Sequence, residues 1–391
     1  MANPTRTIRV LSLIPTFWPR QGGAQMVLAE IAHGLGARID CTVLTRGYAD
    51  SPRDEDMPSL KVHRYPNPAP EAWKDYATGA KRVSFPSKLC VGLFDVLGSA
   101  ARLPALARNA DLVHLHFPLP LGLAALAWRK ATHKPLVVTV HGNADIYELP
   151  KSMAPLTRAV LHSADAVVSV SEDLADYLRT NVGVRNVIAV PNGVDTKLFS
   201  PAAHTPGEKL TLVSISRIVP RKNIDVLIAA VRTLAERGEN GLELLIAGTG
   251  PAEAQVASLA AAAPNTTFLG FIDEAKKREL LARADVFVQL SIREGLSIAT
   301  LEAMACGIPC VVSDLPGVRE PVTPGETGFL VPNPESVDSV VATLTRLIES
   351  RGELLRMRAA ARRSVEERYS VQAMAEGYFR VYERVLGGNA S

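Results

Sequence analysis

The feature that most constrains this chain is a rhythm. Short, wholly apolar runs rich in Val, Ile and Leu alternate with longer segments of helical periodicity along nearly its whole length. RVLSLI (9–14) precedes GAQMVLAEIAHGL (23–35), and CTVLT (41–45) follows. Later come DLVHLH (111–116), LGLAALAWRK (121–130), PLVVTVH (135–141), and ADAVVSVS (164–171) before EDLADYLR (172–179). A strand with one wet face alternates apolar and polar residues; these do not, so both of their faces must be covered. A parallel sheet wrapped by helices does that, and strand–helix alternation is how a chain builds one.

The rhythm breaks once. VIAVPNGVDTKLFSPAAHTPGEK (187–209) brings Pro, Gly, Asn and charge together, and a new series then starts at LTLVSIS (210–216). NIDVLIAAVRTLAER (223–237), LELLIAG (242–248), TTFLGF (266–271), ADVFVQL (284–290) and PCVVSD (309–314) continue it. The last three patterns, 335–349, 352–368 and 371–386, are helical with no strand between them. The expectation is an α/β chain of two doubly wound domains, 1–200 and 201–370, with the boundary near 191–208. The 391 residues suit two domains of about 100–200 each. Ligands of open α/β sheets bind where the strands end, so the chemistry should lie just after strands, in a cleft between the two domains.

Composition narrows the function classes. With 43 basic and 40 acidic residues the net charge is +3, which carries no signal for nucleic acid. The charge is unevenly spread: residues 1–200 hold 22 Lys and Arg against 17 Asp and Glu, and the remainder 21 against 23. All eight His and all three Trp precede residue 205, so the two parts do different work. Cys41, Cys90, Cys306 and Cys310 form no disulfide framework, and the 306/310 pair has no second Cys or His pair near it for zinc. MANPTRTIRVLSLIPTFWP reads as a first strand and not as a signal peptide, and no run of 18 apolar residues is present. A cytoplasmic, reducing location is expected. P-loop, nucleophile-elbow and HExxH patterns are absent from the sequence, which argues against NTPase, serine hydrolase and metalloprotease chemistry.

The richest segment is SIREGLSIATLEAMACGIPCVVSD (291–314), where a strand ends at Leu290 and a helix is expected from about Leu296. The loop Glu294-Gly295-Leu296-Ser297 offers unpaired backbone N–H groups at a positive helix end, suited to phosphate or sugar hydroxyls. Taken alone, Glu294 would be a helix cap and Glu302 a solvated helix face. SRIVPRKNIDVLIAAV (216–231) changes that reading. Arg217 follows a strand and Lys222 precedes a helix; a guanidinium fork and a compact ammonium together suit a diphosphate. Cations, helix end and a carboxylate for a ribose diol describe a nucleotide–diphosphate site.

Here the chain resembles the retaining glycosyltransferases of family 4, which have the GT-B fold of two Rossmann-like domains. Arg217, Lys222 and Glu294-(x)7-Glu302 within EGLSIATLEAMACGIPCVVSD carry the resemblance. GTGP (248–251), FLGF (268–271), Glu320 in PGVREPV, TGFLVP (327–332), VVTVHG (137–142) and PNGVD (191–195) continue it, densely over 210–332. The resemblance implies a metal-independent, retaining transfer of a hexosyl residue from a UDP- or GDP-hexose, with no cofactor, to a saccharide or lipid-linked acceptor in cell-surface polysaccharide or glycoconjugate synthesis. It implies that Glu302 holds the ribose, Glu294 the sugar hydroxyls, and Arg217 and Lys222 the diphosphate. The amides of Leu296 and Ser297, with Gly295 beside them, would add hydrogen bonds, and Phe271 and Ile272 would flank the base. Gly23 would border the diphosphate, His141 would sit against the transferred sugar, and Gln25 and His116 would face the acceptor. The last helix, 371–386, would pack back on the first domain.

The chain departs from the family pattern in places. Gln25 stands where Glu is frequent, Asn223 where Gly is usual, and Pro316 replaces one Gly of a Gly-Gly pair. GTGPAE (248–253) is a partial dinucleotide signature, explained by Pro251 at a helix start. His114, His116 and His141 could together hold zinc, though no carboxylate or Cys accompanies them. Lys81, Arg82, Lys88, Arg102 and Arg108 surround Leu89, Leu93 and Leu97 in 81–108, with Asp95 the only acid. That segment reads as a helix packed on the sheet through Gly92 and Gly98, or as a peripheral contact with the anionic inner face of the cell membrane. Two other functions share the site chemistry: a nucleotide-sugar 2-epimerase of the same architecture, and a non-catalytic nucleotide-sugar-binding subunit.

Overall fold

A computed structural model describes residues 7–19, 22–48, 51–67, 85–142, 146, 151–203 and 207–387, with the backbone alone for 85–89 and 151. They form two compact units. The first holds the described residues up to Asn192 together with those from Val371 on; the second holds Gly193–Ser370.

The first unit is built on eight strands: β1 (Ile8–Leu13), β2 (Ile39–Arg46), β3 (Asp54–Met57), β4 (Leu60–Tyr65), β5 (Leu112–His116), β6 (Leu136–Val140), β7 (Ala166–Ser169) and β8 (Val187–Ala189). Their order is β3-β4-β2-β1-β5-β6-β7-β8, and every pairing is parallel except that of β3 with β4. Every residue of β5, β6 and β7 is buried, which is why those runs show no polar alternation. The helices are α1 (Gly23–Leu35), α2 (Phe85–Ala107), α3 (Gly122–Thr132), α4 (Ala154–Ser163) and α5 (Glu172–Tyr177). The second unit has β9 (Leu210–Ile215), β10 (Leu242–Ala247), β11 (Thr266–Phe268), β12 (Val286–Gln289), β13 (Cys310–Ser313) and β14 (Gly328–Val331). These run parallel in the order β11-β10-β9-β12-β13-β14. Around them lie α6 (Ile224–Glu236), α7 (Glu253–Ala261), α8 (Glu274–Arg283), α9 (Ile298–Ala305), α10 (Val337–Glu349) and α11 (Leu354–Arg368). Leu212, Leu244, Ile246, Val286 and Val311 are among the residues at the centre of its core.

Each sheet has a switch point where the strand order reverses, and the loops leaving the two strands there diverge. In the first unit it lies between β1 and β5, so the loops before Gly23 and after His116 open there. In the second it lies between β9 and β12, so the loops carrying Lys222 and Glu294 do.

The last helix, α12 (Val371–Gly387), belongs to the first unit and packs along α1. A Cβ on Gly34 would stand 2.9 Å from the Ala375 Cβ, so glycine lets the two helices approach. Arg38 pairs with Glu376 and lies 3.7 Å over the Phe379 ring. Three expectations need correction. Val187–Ala189, read as the start of the break, is a strand paired with β7. The helix after Glu294 begins at Ile298, because Ser297 is its N-cap and accepts from the Thr300 N–H. Pro251 does not open α7, which starts at Glu253.

The segment 81–108 divides by face. Lys81 and Arg82, and the side chains of Lys88 and Leu89, lie outside the described residues. Val91, Asp95, Ser99, Leu103 and Ala107 recur every fourth residue and are buried. Asp95 pairs with Arg46 and accepts from Tyr65 Oη at 2.9 Å. Gly98 is required, since a Cβ there would meet the Tyr65 ring at 2.6 Å, whereas a Cβ on Gly92 would make only ordinary contact. Leu93, Phe94 and Leu97 face outward, exposed by 58%, 41% and 57%. The window Cys90–Ala107 has mean hydropathy 1.4, apolar and long enough by composition to cross a membrane. The Asp95 ion pair and the Gly98 contact tie this helix to the sheet of the first unit.

Candidate active site

In the second unit, β9 ends and the chain turns through Arg217 to a short 3-10 turn, Pro220–Lys222, before α6. Arg217 is exposed at the sheet edge. Two glycines hold its loop: a Cβ on Gly248 would lie 1.8 Å from the Ser216 carbonyl oxygen, and one on Gly250 2.2 Å from that of Ile218. GTGP is therefore a backbone contact that fixes the arginine loop. Asn223 sits at φ 50°, in the left-handed region, and its Nδ2 donates to the Pro334 carbonyl at 3.2 Å. Asn is the non-glycine residue that tolerates this conformation best, so its replacement of Gly preserves the turn.

Lys222 is only 9% exposed, and its ammonium pairs with the Glu294 carboxylate. Behind them Gln289 accepts from Ser297 Oγ at 2.8 Å, tying the end of β12 to the cap of α9. The Ile292 N–H donates to the Arg221 carbonyl at 2.9 Å, binding the two loops together. Gly317, at φ +74°, passes so close that a Cβ would lie 2.5 Å from the Glu294 carbonyl oxygen. The glycine that follows Pro316 is thus the one the packing needs. Gly295, Leu296 and Ser297 are buried in this loop.

Glu302 is 3% exposed, not a solvated helix face. Lys277 of α8 donates to it at 2.8 Å and also pairs with Glu274 at 3.1 Å. Burial pushes the Glu302 carboxyl upward, and Lys277 opposes this. Lys277 and Gln289 are the participants that sequence reading misses. Phe271 is 76% exposed and Ile272 half-buried, both just before α8, whose cap Asp273 accepts from the Lys276 N–H at 2.7 Å.

In the first unit, Gly23 is the exposed first residue of α1, whose N-cap Gly22 provides no side chain. Gln25 donates to the Thr16 carbonyl at 3.0 Å and to Thr16 Oγ1 at 2.6 Å, so its amide braces the loop after β1. His141 follows β6 and is half-buried. His116 does not line an open wall: it is fully buried, and its Nδ1 lies 3.1 Å from His141 Nε2. The zinc alternative fails at His114, whose ring nitrogens are both taken, by Tyr382 Oη at 2.8 Å and Thr139 Oγ1 at 2.7 Å. Burial pushes His114 and His141 down to about 3 and His116 well below its usual value, so all three are neutral at pH 7.

Two Rossmann-like units, with the motif residues at the C-terminal ends of their strands, define a glycosyltransferase of the GT-B class. The chain belongs to the group 1, family 4 glycosyltransferases: the model of "Glycosyl transferases group 1" matches residues 195–364 and that of "Glycosyltransferase Family 4" residues 21–198. A phosphatidyl-myo-inositol mannosyltransferase of Mycobacterium tuberculosis is 30% identical over 75% of this chain and 82% of its own. A GDP-mannose-dependent alpha-(1-6)-phosphatidylinositol monomannoside mannosyltransferase of the same organism is 29% identical over 94% and 96%. In fold, the chain is similar to sucrose-phosphate synthase of Thermosynechococcus elongatus, with a TM-score of 0.83, 20% identity, and coverage of 97% of this chain and 100% of that one.

Proposed function

We propose that this glycosyltransferase moves a mannosyl residue from GDP-mannose to a lipid-linked acceptor of the phosphatidylinositol kind, with retention and without a metal. The observation that carries the reading is the Lys222–Glu294 pair at the switch point of the second sheet. It sets a diphosphate-binding cation beside a carboxylate suited to sugar hydroxyls, on loops locked by Gly248 and Gly317. Without donor each charge answers the other. A bound diphosphate takes over Lys222 and frees Glu294 for the sugar. Relatives that use GDP-mannose or transfer mannose support the choice of donor.

As the sugar–phosphate bond lengthens, negative charge collects on the leaving diphosphate. Arg217, Lys222 and the amides of Leu296 and Ser297 stabilise it there. Glu302 accepts from the ribose hydroxyls, and Phe271 and Ile272 flank the base. The sugar gains oxocarbenium character as that bond lengthens. The departing phosphate takes the acceptor's proton as the acceptor attacks from the same face. The lipid acceptor is supported by α2, whose Leu93, Phe94 and Leu97 form an apolar stripe beside a buried, neutralised Asp95. We place that stripe on an anionic membrane surface.

Incubation with GDP-mannose, UDP-glucose and other donors, with and without inositol phospholipids or soluble saccharides, tests the reading. GDP release that depends on the lipid is expected. Isomerised donor without acceptor would mean an epimerase, donor bound unchanged a binding subunit, and saccharide-dependent release a soluble acceptor.

A further inference from the structure

The two lysines of EAKKRELLAR on α8 behave differently. Lys276 pairs with Glu279 at the surface, whereas the side chain of Lys277 is largely covered. Its ammonium donates to Glu302 Oε1 at 2.8 Å, pairs with Glu274 Oε2 at 3.1 Å and stands 5.1 Å from the centroid of the Phe199 ring. Those partners come from α9, from α8 itself and from the loop before β9, so three segments fix the lysine. The oxygens of Glu302 differ as well. Oε1 takes the lysine; Oε2 makes no hydrogen bond among the described residues, yet it is not sealed from solvent.

Fixing a lysine costs rotamer entropy, and a buried ion pair returns little net stability against an apolar pair of similar size. The fold alone therefore gives no reason for either charge. A nucleotide does. A ribose diol needs an acceptor, and an ionised carboxylate only accepts, where a protonated one also donates. Burial and the charge of Glu274 both favour the protonated form of Glu302, and Lys277 opposes them. The other titratable neighbour is Cys306, one turn on, a thiol that burial pushes up to about 11 and that Arg358 and Arg362 of α11 also approach. We infer that Lys277 is a positioning residue for the ribose: it grips Oε1 of Glu302 and keeps the group a carboxylate, so that Oε2 is left to accept from the diol. This rests on the assignment of Glu302 to the ribose.

The test compares GDP with 2′-deoxy-GDP, which lacks one hydroxyl of the diol, by titration calorimetry of the full chain across about pH 6 to 8.5, a range in which a buried, unpaired carboxyl titrates. Taking the ratio of the two affinities at each pH cancels the titration of the phosphates and any contact with the base. The parent should prefer GDP by about tenfold to a hundredfold throughout, the worth of one hydrogen bond to a charged group. Lys277→Met should cut that preference to about fivefold or less near about pH 6, the worth of a neutral hydrogen bond. The preference should then grow as the pH rises and Glu302 ionises. Lys277→Arg, which restores the charge, should keep the flat profile of the parent. Lys277→Gln, which keeps a donor and loses the charge, should follow Lys277→Met and stands in for it if the methionine variant does not fold. A preference in the uncharged variants that matches the parent at every pH overturns the inference. So does a loss that is equal at every pH, or one that arginine does not relieve. A parent that binds both nucleotides equally shows instead that the placement of Glu302 at the ribose fails, and the inference falls with it.

Discussion

A carboxylate as deeply buried as Glu302 is costly unless something answers its charge, and Lys277 does so. The arrangement makes Glu302→Ala a clean experiment, because Lys277 keeps Glu274 as a partner and is not left alone. If the Glu302 carboxylate accepts from the ribose, the variant should bind GDP more weakly by about 1.5–3 kcal/mol, the range for hydrogen bonds to charged groups. Titration calorimetry giving an unchanged GDP affinity would remove Glu302 from the nucleotide site. Lys222→Ala is less clean, since it strands Glu294 in a largely buried loop. Lys222 and Glu294 were legible because both stand in loops that lead from a strand end to a helix. Lys277 was not: in EAKKRELLAR its charge looks like any solvated helix face, and only the fold brings it to Glu302 of α9. The imidazole layer was half legible. Two His two apart on a strand share a face, but Tyr382, which bonds His114, and Tyr378, whose ring lies against it, are more than 200 residues away in the chain.

Among elements, the strands were easiest to read because burial on both faces leaves an uninterrupted apolar signature. β3 escaped for the converse reason. Its sequence, DEDM, is that of an exposed edge, where charge discourages further pairing. α2 is readable as two alternatives, and its inward face bears out the one in which the helix packs on the unit. The buried stripe through Asp95 and Gly98 holds the helix to the unit, and Leu93, Phe94 and Leu97 of the outward stripe are exposed. If the outward stripe meets a membrane, the protein should co-sediment with anionic liposomes at low salt and detach as salt rises, because the charge attraction is screened. Leu93→Ser together with Leu97→Ser should weaken that binding and leave GDP affinity unchanged. Retention of the double variant on the liposomes would show that another surface makes the contact.

At the scale of the whole molecule, the first unit is discontinuous in sequence. Its α12 supplies Met374, Tyr378, Phe379, Val381 and Tyr382 to the core, each 4% exposed or less. Burying one large apolar side chain is worth about 1.5–3 kcal/mol, so removing the helix should exceed the margin of about 5–15 kcal/mol on which a domain stands. A chain ending at Ser370 should therefore lose the urea transition of the first unit while that of the second persists; melting like the full chain would mean that α12 is dispensable. The same discontinuity sets a timetable for biosynthesis. A ribosome must make all of Gly193–Ser370 before it reaches α12, which at 5–20 residues per second takes about 10–35 s. Throughout that interval the nascent first unit waits with the flank of α1 uncovered and the Nδ1 of His114 without its tyrosine. The second unit, begun later, can fold first, and the interval is a window in which a chaperone would have an apolar surface to hold.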